Sequence, residues 1–365
     1  MPAPSRTSLP ERPAFQRALL RWYETHQRSL PWRKNGNPYR ILVSEFMLQQ
    51  TRVETVIPYY ERFLKRFPSL RDLAKAPLQE VLKAWAGLGY YARARNLHEA
   101  AKAIVREWGG KIPRTKEELL LLPGFGPYTA GAVASLAFHQ PVPALDGNAK
   151  RVLGRLFPEQ CDFSRMSAKK QADEFLAGWI PPRRAADFNQ ALMDLGAMVC
   201  IPSSPRCTAC PVFRFCATKG KIPKKKRVVR KVREEIWAVA LVEKDGKFLL
   251  HRKEGRGLLS GLWQFPSVAV EKNQGKRGNS QDPGKLLEKY LREDFGLETR
   301  IKTSLPEQEH LFTHIHALMK PYLGSLAGTR PSFPNSGSLR WVGASAFSRY
   351  PISTAMCKIA ALVGS

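Results

Sequence analysis

Apolar residues recur at helical spacing through the first two-thirds of the chain. Their three-and-four rhythm predicts helices over residues 15–26, 43–67, 80–86, 93–108, 128–138, 148–156 and 188–199. Pro68, Pro77, Gly109, Gly110, Pro123, Pro181 and Pro182 punctuate these segments, as the turns of a compact all-α body require. Beyond residue 220 the rhythm changes to that of strands. Residues 237–243 and 247–252 read as a β-hairpin around the Asp245–Gly246 pair, and strand-like pieces follow at 310–320 and 339–342. Residues 285–295 read as a helix ending at Gly296, and 271–283 as a polar, flexible loop.

The expected organisation is multidomain: an all-α body over 10–218, a basic linker over 219–234 and an α+β module over 235–365, a size that can hold its own core. The stretch 219–233 carries nine basic residues and no acidic one, which suits a solvated linker and also a holder of phosphate backbones. The whole chain shares that bias. Against 31 Asp and Glu stand 59 Lys and Arg, a formal charge of +28, and a polyanion, nucleic acid above all, is the expected partner. No apolar run approaches the ~20 residues that span a bilayer, so no membrane partner is expected. Residues 1–13 contain four prolines and no apolar core of an export signal, which points to a cytoplasmic protein.

Four cysteines close the helical body: Cys200, Cys207, Cys210 and Cys216, spaced C-x6-C-x2-C-x5-C. In a chain without an export signal such spacing points to a metal site rather than to disulfides. Tetrahedral Zn²⁺ and a [4Fe–4S] cube both accept four thiolates, although zinc sites more often use two short knuckles. Cys161 and Cys357 have no evident partners and are expected to stay reduced.

The run Leu122-Pro-Gly-Phe-Gly-Pro-Tyr-Thr129 puts two glycines, Gly124 and Gly126, in a tight turn ahead of a helix whose free N–H groups suit a DNA phosphate. Some 20 residues later stands Asp146, in Leu-Asp-Gly-Asn148. It is either a helix cap or a carboxylate able to stabilise an oxocarbenium-like sugar. Glu45 is the one charge among Ile41, Leu42, Val43, Phe46, Met47 and Leu48. It lies either on a solvated face or in a desolvated site that raises its pKa and makes it a general acid. Gln49, Gln50 and Thr51 can fill the gap left by an extruded base, and Leu88, Tyr90 and Tyr91 can wedge or stack in a duplex.

These motifs occur in order: V-S-E-x-M-L-Q-Q-T, G-L-G-Y-Y-x-R-x-R-N-L, L-P-G-x-G-P-Y-T, L-D-G-N and the cysteine spacing. Together they resemble the MutY-type adenine DNA glycosylases of the helix-hairpin-helix superfamily, over about residues 10–365. The resemblance implies a helix-hairpin-helix glycosylase body with a [4Fe–4S] cluster on the four cysteines, followed by a NUDIX-like 8-oxoguanine reader. It implies a monomer that flips adenine, mispaired with 8-oxoguanine or guanine, out of duplex DNA and removes it hydrolytically.

In that family Glu45 matches the acid that protonates adenine N7, and Asp146 the carboxylate facing the sugar cation. Tyr128 and Asn148 match residues that organise the site, and Gln50 and Tyr90 match those that wedge the duplex. Endonuclease III-like relatives carry a Schiff-base lysine where Tyr128 stands, so a monofunctional glycosylase is implied. Lys150 remains a source of slow, incidental lyase chemistry. Lys289 and Tyr290 replace the first Arg-Glu of the Nudix metal helix, which implies no nucleotide hydrolysis. Phe312-Thr313-His314 stands where the family reads 8-oxoguanine with F-S-H.

Overall fold

The computed structural model describes residues 12–161, 163, 166–221, 232–255, 257–270, 282–327 and 337–364. The N-terminal segment through residue 11, the basic segment 222–231 and the polar stretch 271–281 lie outside them. The chain forms two compact units. One takes the chain up to Lys75 and resumes at Asn96, and the other joins Ala76–Arg95 to the chain beyond the basic segment.

The first unit is helical: α1 (Arg12–His26), α2 (Pro38–Leu48), α3 (Val53–Arg66) and α4 (Leu70–Lys75) come first. Helix α5 (Leu78–Trp85) belongs to the second unit, and α6 (Ala92–Glu107) leads back into the first. Then follow α7 (Lys116–Leu120), α8 (Pro127–Phe138), α9 (Gly147–Leu156), α10 (Met166–Ala177) and α11 (Ala185–Met198). Helices α4, α7 and α10 have no counterpart in the periodicity reading; the first two are single turns too short to establish a rhythm.

The single helix expected over 43–67 is two. Asn37 caps α2 by accepting the Arg40 N–H, and Pro38 sets its first turn. It stops after Leu48, where Gln49 leaves the helix with ψ 110° and Gln50 adopts φ 59°, a left-handed conformation that cannot continue a right-handed helix. The break lets α2 be buried almost throughout, from Ile41 to Met47, while exposed Gln50 sits on the turn.

The expected hairpin is formed by α7 and α8. A capping box between Thr115 and Glu118 starts α7. At the turn Gly124 has φ 77°, and a Cβ there would stand 2.4 Å from the Asn96 Cβ, so only glycine fits. Helix α8 then begins at Gly126 with no side-chain cap, leaving its first N–H groups available. Elsewhere in the unit Phe15, Leu19, Val152, Leu156, Phe157, Trp179, Phe188 and Leu195 form a core. Cys200, Cys210 and Cys216 pack against it, which seats the cysteine loop on α9 and α11.

The second unit is built on one mixed sheet: β1 (Arg233–Lys244), β2 (Lys247–Arg252), β3 (Trp263–Gln264), β4 (Ser267–Val270), β5 (Thr299–Ser304), β6 (Gln308–Leu311), β7 (Ile315–Leu326) and β8 (Leu339–Gly343). Strand β1 is central, parallel to β7 and antiparallel to β2 and β4. Its run Ala238–Val242 is wholly buried, as a strand covered on both faces must be. Helix α12 (Pro283–Phe295) brings Leu287 and Leu291 to one face, and α13 (Thr354–Ala360) brings Met356 and Ile359 to the other. Asp245 and Gly246 both take positive φ, the geometry of the expected two-residue hairpin turn.

The strand expected over 310–320 is instead an antiparallel pair. Strand β6 ends at Leu311, β7 starts at Ile315, and Phe312–His314 form the turn between them. Apolar residues run into and out of that turn, Leu311 before it, Phe312 at its start and Ile315 after it, and it contains no glycine or proline to mark it. Among the described residues no helix is long and apolar enough to cross a membrane.

Candidate active site

In the first unit one cleft of about 610 Å³ gathers Glu45, Gln50, Thr51, Gly124, Gly126, Tyr128, Asp146, Asn148 and Lys150. Four elements supply them: buried α2, the turn after it, the start of α8 and the start of α9. Glu45 is 3% exposed. Burial pushes its carboxyl up to about 7; the Tyr128 hydroxyl, which donates to Oε2 at 2.7 Å, pulls in the other direction. A carboxyl with that value is half-protonated near neutral pH, as a general acid should be. Tyr128 itself is held well above the ordinary phenol range by burial and by the carboxylates beside it.

Asp146 caps α9, so the cap reading holds, and its carboxylate also faces the cleft. It accepts from the Ala149 N–H at 2.6 Å and from Asn148 Nδ2 at 3.0 Å. Burial raises its pKa, while these donors act to keep it ionised.

Three arginines hold the site, and none was evident in the sequence. Arg28 and Arg33 both pair with Asp194, whose side chain is fully buried on α11, at 2.7 Å each. Arg33 lines the cleft, and its charge favours the ionised form of Glu45. Arg151 donates to Asn148 Oδ1 at 2.8 Å and to the Gly196 and Cys200 carbonyls at 2.7 and 2.9 Å. The chain of contacts therefore runs Asp146, Asn148, Arg151, Cys200. Arg28 and Arg33 each lie more than 160 residues from Asp194 in sequence, so no local signal could pair them with it. Arg151 follows Asn148 by three residues on α9, and that one-turn spacing was the available clue.

The four cysteines line one apolar cavity with Val152, Leu156, Val199 and Val212. Arg155 Nη1 reaches Cys200 Sγ at 3.3 Å, and the Thr218 hydroxyl reaches Cys216 Sγ at the same distance. The Arg155 guanidinium aimed at the Cys200 sulfur suits a thiolate there. Among the described residues no group of three or more His, Cys, Asp or Glu side chains is drawn together as a single ion requires. Four cysteine side chains on the wall of one cavity are a donor set that suits thiolate-bound metal.

The remaining predicted residues lie in the second unit. Leu88 is 6% exposed and turned inward, whereas Tyr90 is 42% exposed and takes φ 49°. Trp85 Nε1 and Arg93 both donate to the Gly89 carbonyl, fixing the loop that presents Tyr90. Thr313 and His314 are exposed at the β6–β7 turn, and Phe312 packs on Trp237 with ring centroids 5.6 Å apart. The Thr313 hydroxyl donates to the Tyr90 oxygen at 2.6 Å. Two segments more than 220 residues apart thus meet at one surface.

Known proteins resemble this chain in sequence and in fold. The profile of HhH-GPD superfamily base excision DNA repair proteins matches residues 43–182, and that of the NUDIX domain matches 237–362. The adenine DNA glycosylase of Rattus norvegicus is 37% identical, the match covering 95% of this chain and 77% of the relative. The Homo sapiens adenine DNA glycosylase is 36% identical over 95% of this chain and 73% of its own length. A thermostable thymine-DNA glycosylase superimposes with a TM-score of 0.54 at 32% identity, covering 58% of this chain and 97% of that one. An endonuclease III trapped on DNA superimposes with a TM-score of 0.50 at 24% identity, covering 58% and 98%, a likeness of fold. The chain belongs to the adenine DNA glycosylases, enzymes that hydrolyse N-glycosidic bonds.

Proposed function

We propose that the protein removes adenine mispaired with 8-oxoguanine, or with guanine, from duplex DNA, acting as a monomeric and monofunctional glycosylase. The observation that carries this reading is a pair of buried carboxylates on one cleft in different protonation environments. Burial raises both carboxyls, Glu45 to about 7, but at Asp146 the hydrogen bonds from Ala149 and Asn148 and the Arg151 charge oppose the rise and favour the anion. The flipped adenine takes the Glu45 proton at N7, the bond from N9 to C1′ breaks, and its electron pair leaves with a neutral base. Ionised Asp146 faces the cationic C1′. Water then adds to C1′, and the Glu45 carboxylate accepts its proton and is restored.

Asn148 orients Asp146, and Tyr128 orients Glu45. Gln50 and Thr51 at the cleft mouth fill the space left by the base, and the hairpin at Gly124 and Gly126 binds the phosphate backbone. A hydroxyl at position 128 has no amine for a Schiff base, which supports hydrolysis without strand cleavage. Tyr90, Phe312, Thr313 and His314 read the base opposite adenine, with Leu88 as inward support for that loop. Cys200, Cys207, Cys210 and Cys216 hold a [4Fe–4S] cluster, which ties the loop after α11 to the helical body.

Single-turnover incubation with A:8-oxoguanine, A:G and thymine-glycol duplexes tests the reading. Adenine release from the first two, fastest for A:8-oxoguanine and without strand scission, is expected. Release of thymine glycol, or efficient borohydride trapping, would replace it with a pyrimidine-specific or bifunctional enzyme.

A further inference from the structure

The segment Ala76–Arg95 leaves the helical unit and joins the sheet unit, and specific hydrogen bonds hold it there. Gln79, in the first turn of α5, uses both ends of its amide. Its Oε1 accepts the Trp263 indole N–H at 2.9 Å, and its Nε2 donates to the Gly261 carbonyl at 3.0 Å. Of the neutral side chains of this length only a carboxamide donates and accepts together. Arg95, at the other end of the segment, donates from Nη1 to the Ser260 carbonyl at 2.7 Å. The backbone between these anchors carries Trp85, Gly89 and Tyr90. Gly261 takes φ 80°, and a Cβ there would stand 3.3 Å from Leu82 Cδ1, so the loop and α5 are in close contact. Trp263 is itself fixed, edge-on to Tyr350 with centroids 5.3 Å apart and paired through β3 to β2.

We infer that Gln79 is a positioning residue that registers the Tyr90 loop on the sheet carrying Phe312–His314, so that both segments meet the base opposite adenine as one surface. The 2.6 Å contact between Thr313 and Tyr90 is the far end of that registration. Gln79 is half-buried and acts through Trp263 and Gly261 rather than on the base itself. The inference rests on the proposed reading of A:8-oxoguanine and assigns part of its specificity to a contact remote from adenine.

Gln79→Met keeps the length of the side chain and removes both hydrogen bonds; Trp263→Phe removes the indole donor and also shrinks a buried ring, a packing loss that the melting temperature reports. Single-turnover adenine release from A:8-oxoguanine and A:G duplexes is measured for the full chain and both variants, together with the melting temperature. Gln79→Met is expected to lower the preference for A:8-oxoguanine over A:G by about three- to tenfold, with the A:G rate unchanged, since one or two net hydrogen bonds are lost. Trp263→Phe should lower it less. The double variant should be no worse than Gln79→Met alone, because the two side chains share one bond. An unchanged preference in the folded variants, or equal losses on both substrates, overturns the inference. If the unaltered protein releases no adenine from A:8-oxoguanine, it is the proposed function that fails.

Discussion

The Tyr128 hydroxyl donates to Glu45 Oε2 at 2.7 Å, and this one contact both orients the acid and restrains its pKa. The proton to be delivered therefore sits on Oε1. Because a hydrogen bond to the anion favours the anion, Tyr128→Phe should move the Glu45 pKa further upward. The alkaline limb of single-turnover adenine release should shift to higher pH. A shift to lower pH would show that the hydroxyl does not act on the charged form.

Glu45→Gln keeps the shape of the acid and removes its proton, so adenine release should fall by at least ~10²-fold while duplex binding persists. The same substitution reports on stability. Burial holds the folded Glu45 at about 7, above its ordinary value of 4.5. Its favourable contribution is therefore present below pH 4.5 and lost as pH rises to about 7. The loss is on the order of 3 kcal/mol if the full shift is expressed. Melting temperature across that window should decline less in Glu45→Gln than in the unaltered protein; parallel declines would place the shift elsewhere.

Arg151 joins Asn148 to the carbonyls of Gly196 and Cys200. Arg151→Met should take a donor from both carbonyls, leaving Cys200 only the longer bond from Arg155, at a cost of about 1–3 kcal/mol of stability, and free Asn148 from its orientation. Adenine release should drop by tenfold or more while Kd for duplex DNA moves little. Equal changes in both would make Arg151 a general stability contact.

The cysteine loop should colour the protein. Purified under anaerobic conditions it is expected to absorb broadly near about 400 nm through sulfur-to-iron charge transfer. Cys207→Ala should bleach that band and loosen the loop, since metal binding and local folding are linked. One zinc and no iron by elemental analysis would reverse the assignment.

Thr313 meets Tyr90 through its hydroxyl, so Thr313→Val keeps the methyl group and removes the bond. The rate on A:8-oxoguanine should fall a few-fold, the value of one hydrogen bond of about 1 kcal/mol, with A:G processing little changed. Equal losses on both duplexes would make the β6–β7 turn a general DNA clamp.

The sequence by itself determined whatever depends on neighbours within a few residues. The Leu-Pro-Gly-Phe-Gly turn needs a positive φ at Gly124, the Asp245–Gly246 pair suits a two-residue hairpin, and Gly296 ends α12 in a left-handed cap. Glu45 stood out because one charge in a buried helical run has few alternatives, and Asp146 because a cap residue is read from the helix it opens. The tertiary structure alone decided what joins distant segments. It brought Arg28 and Arg33 to Asp194 across more than 160 residues, and Thr313 to Tyr90 across more than 220. It also split 43–67, where Gln50 takes a left-handed conformation, and 310–320, where the strand reverses at Phe312–His314. Leu88 shows the same limit: its motif marks a loop at the surface, but packing turned that side chain inward and left Tyr90 outside. Hydrophobic pattern reports which face of an element is buried; which partner buries it is settled only when the distant chain arrives.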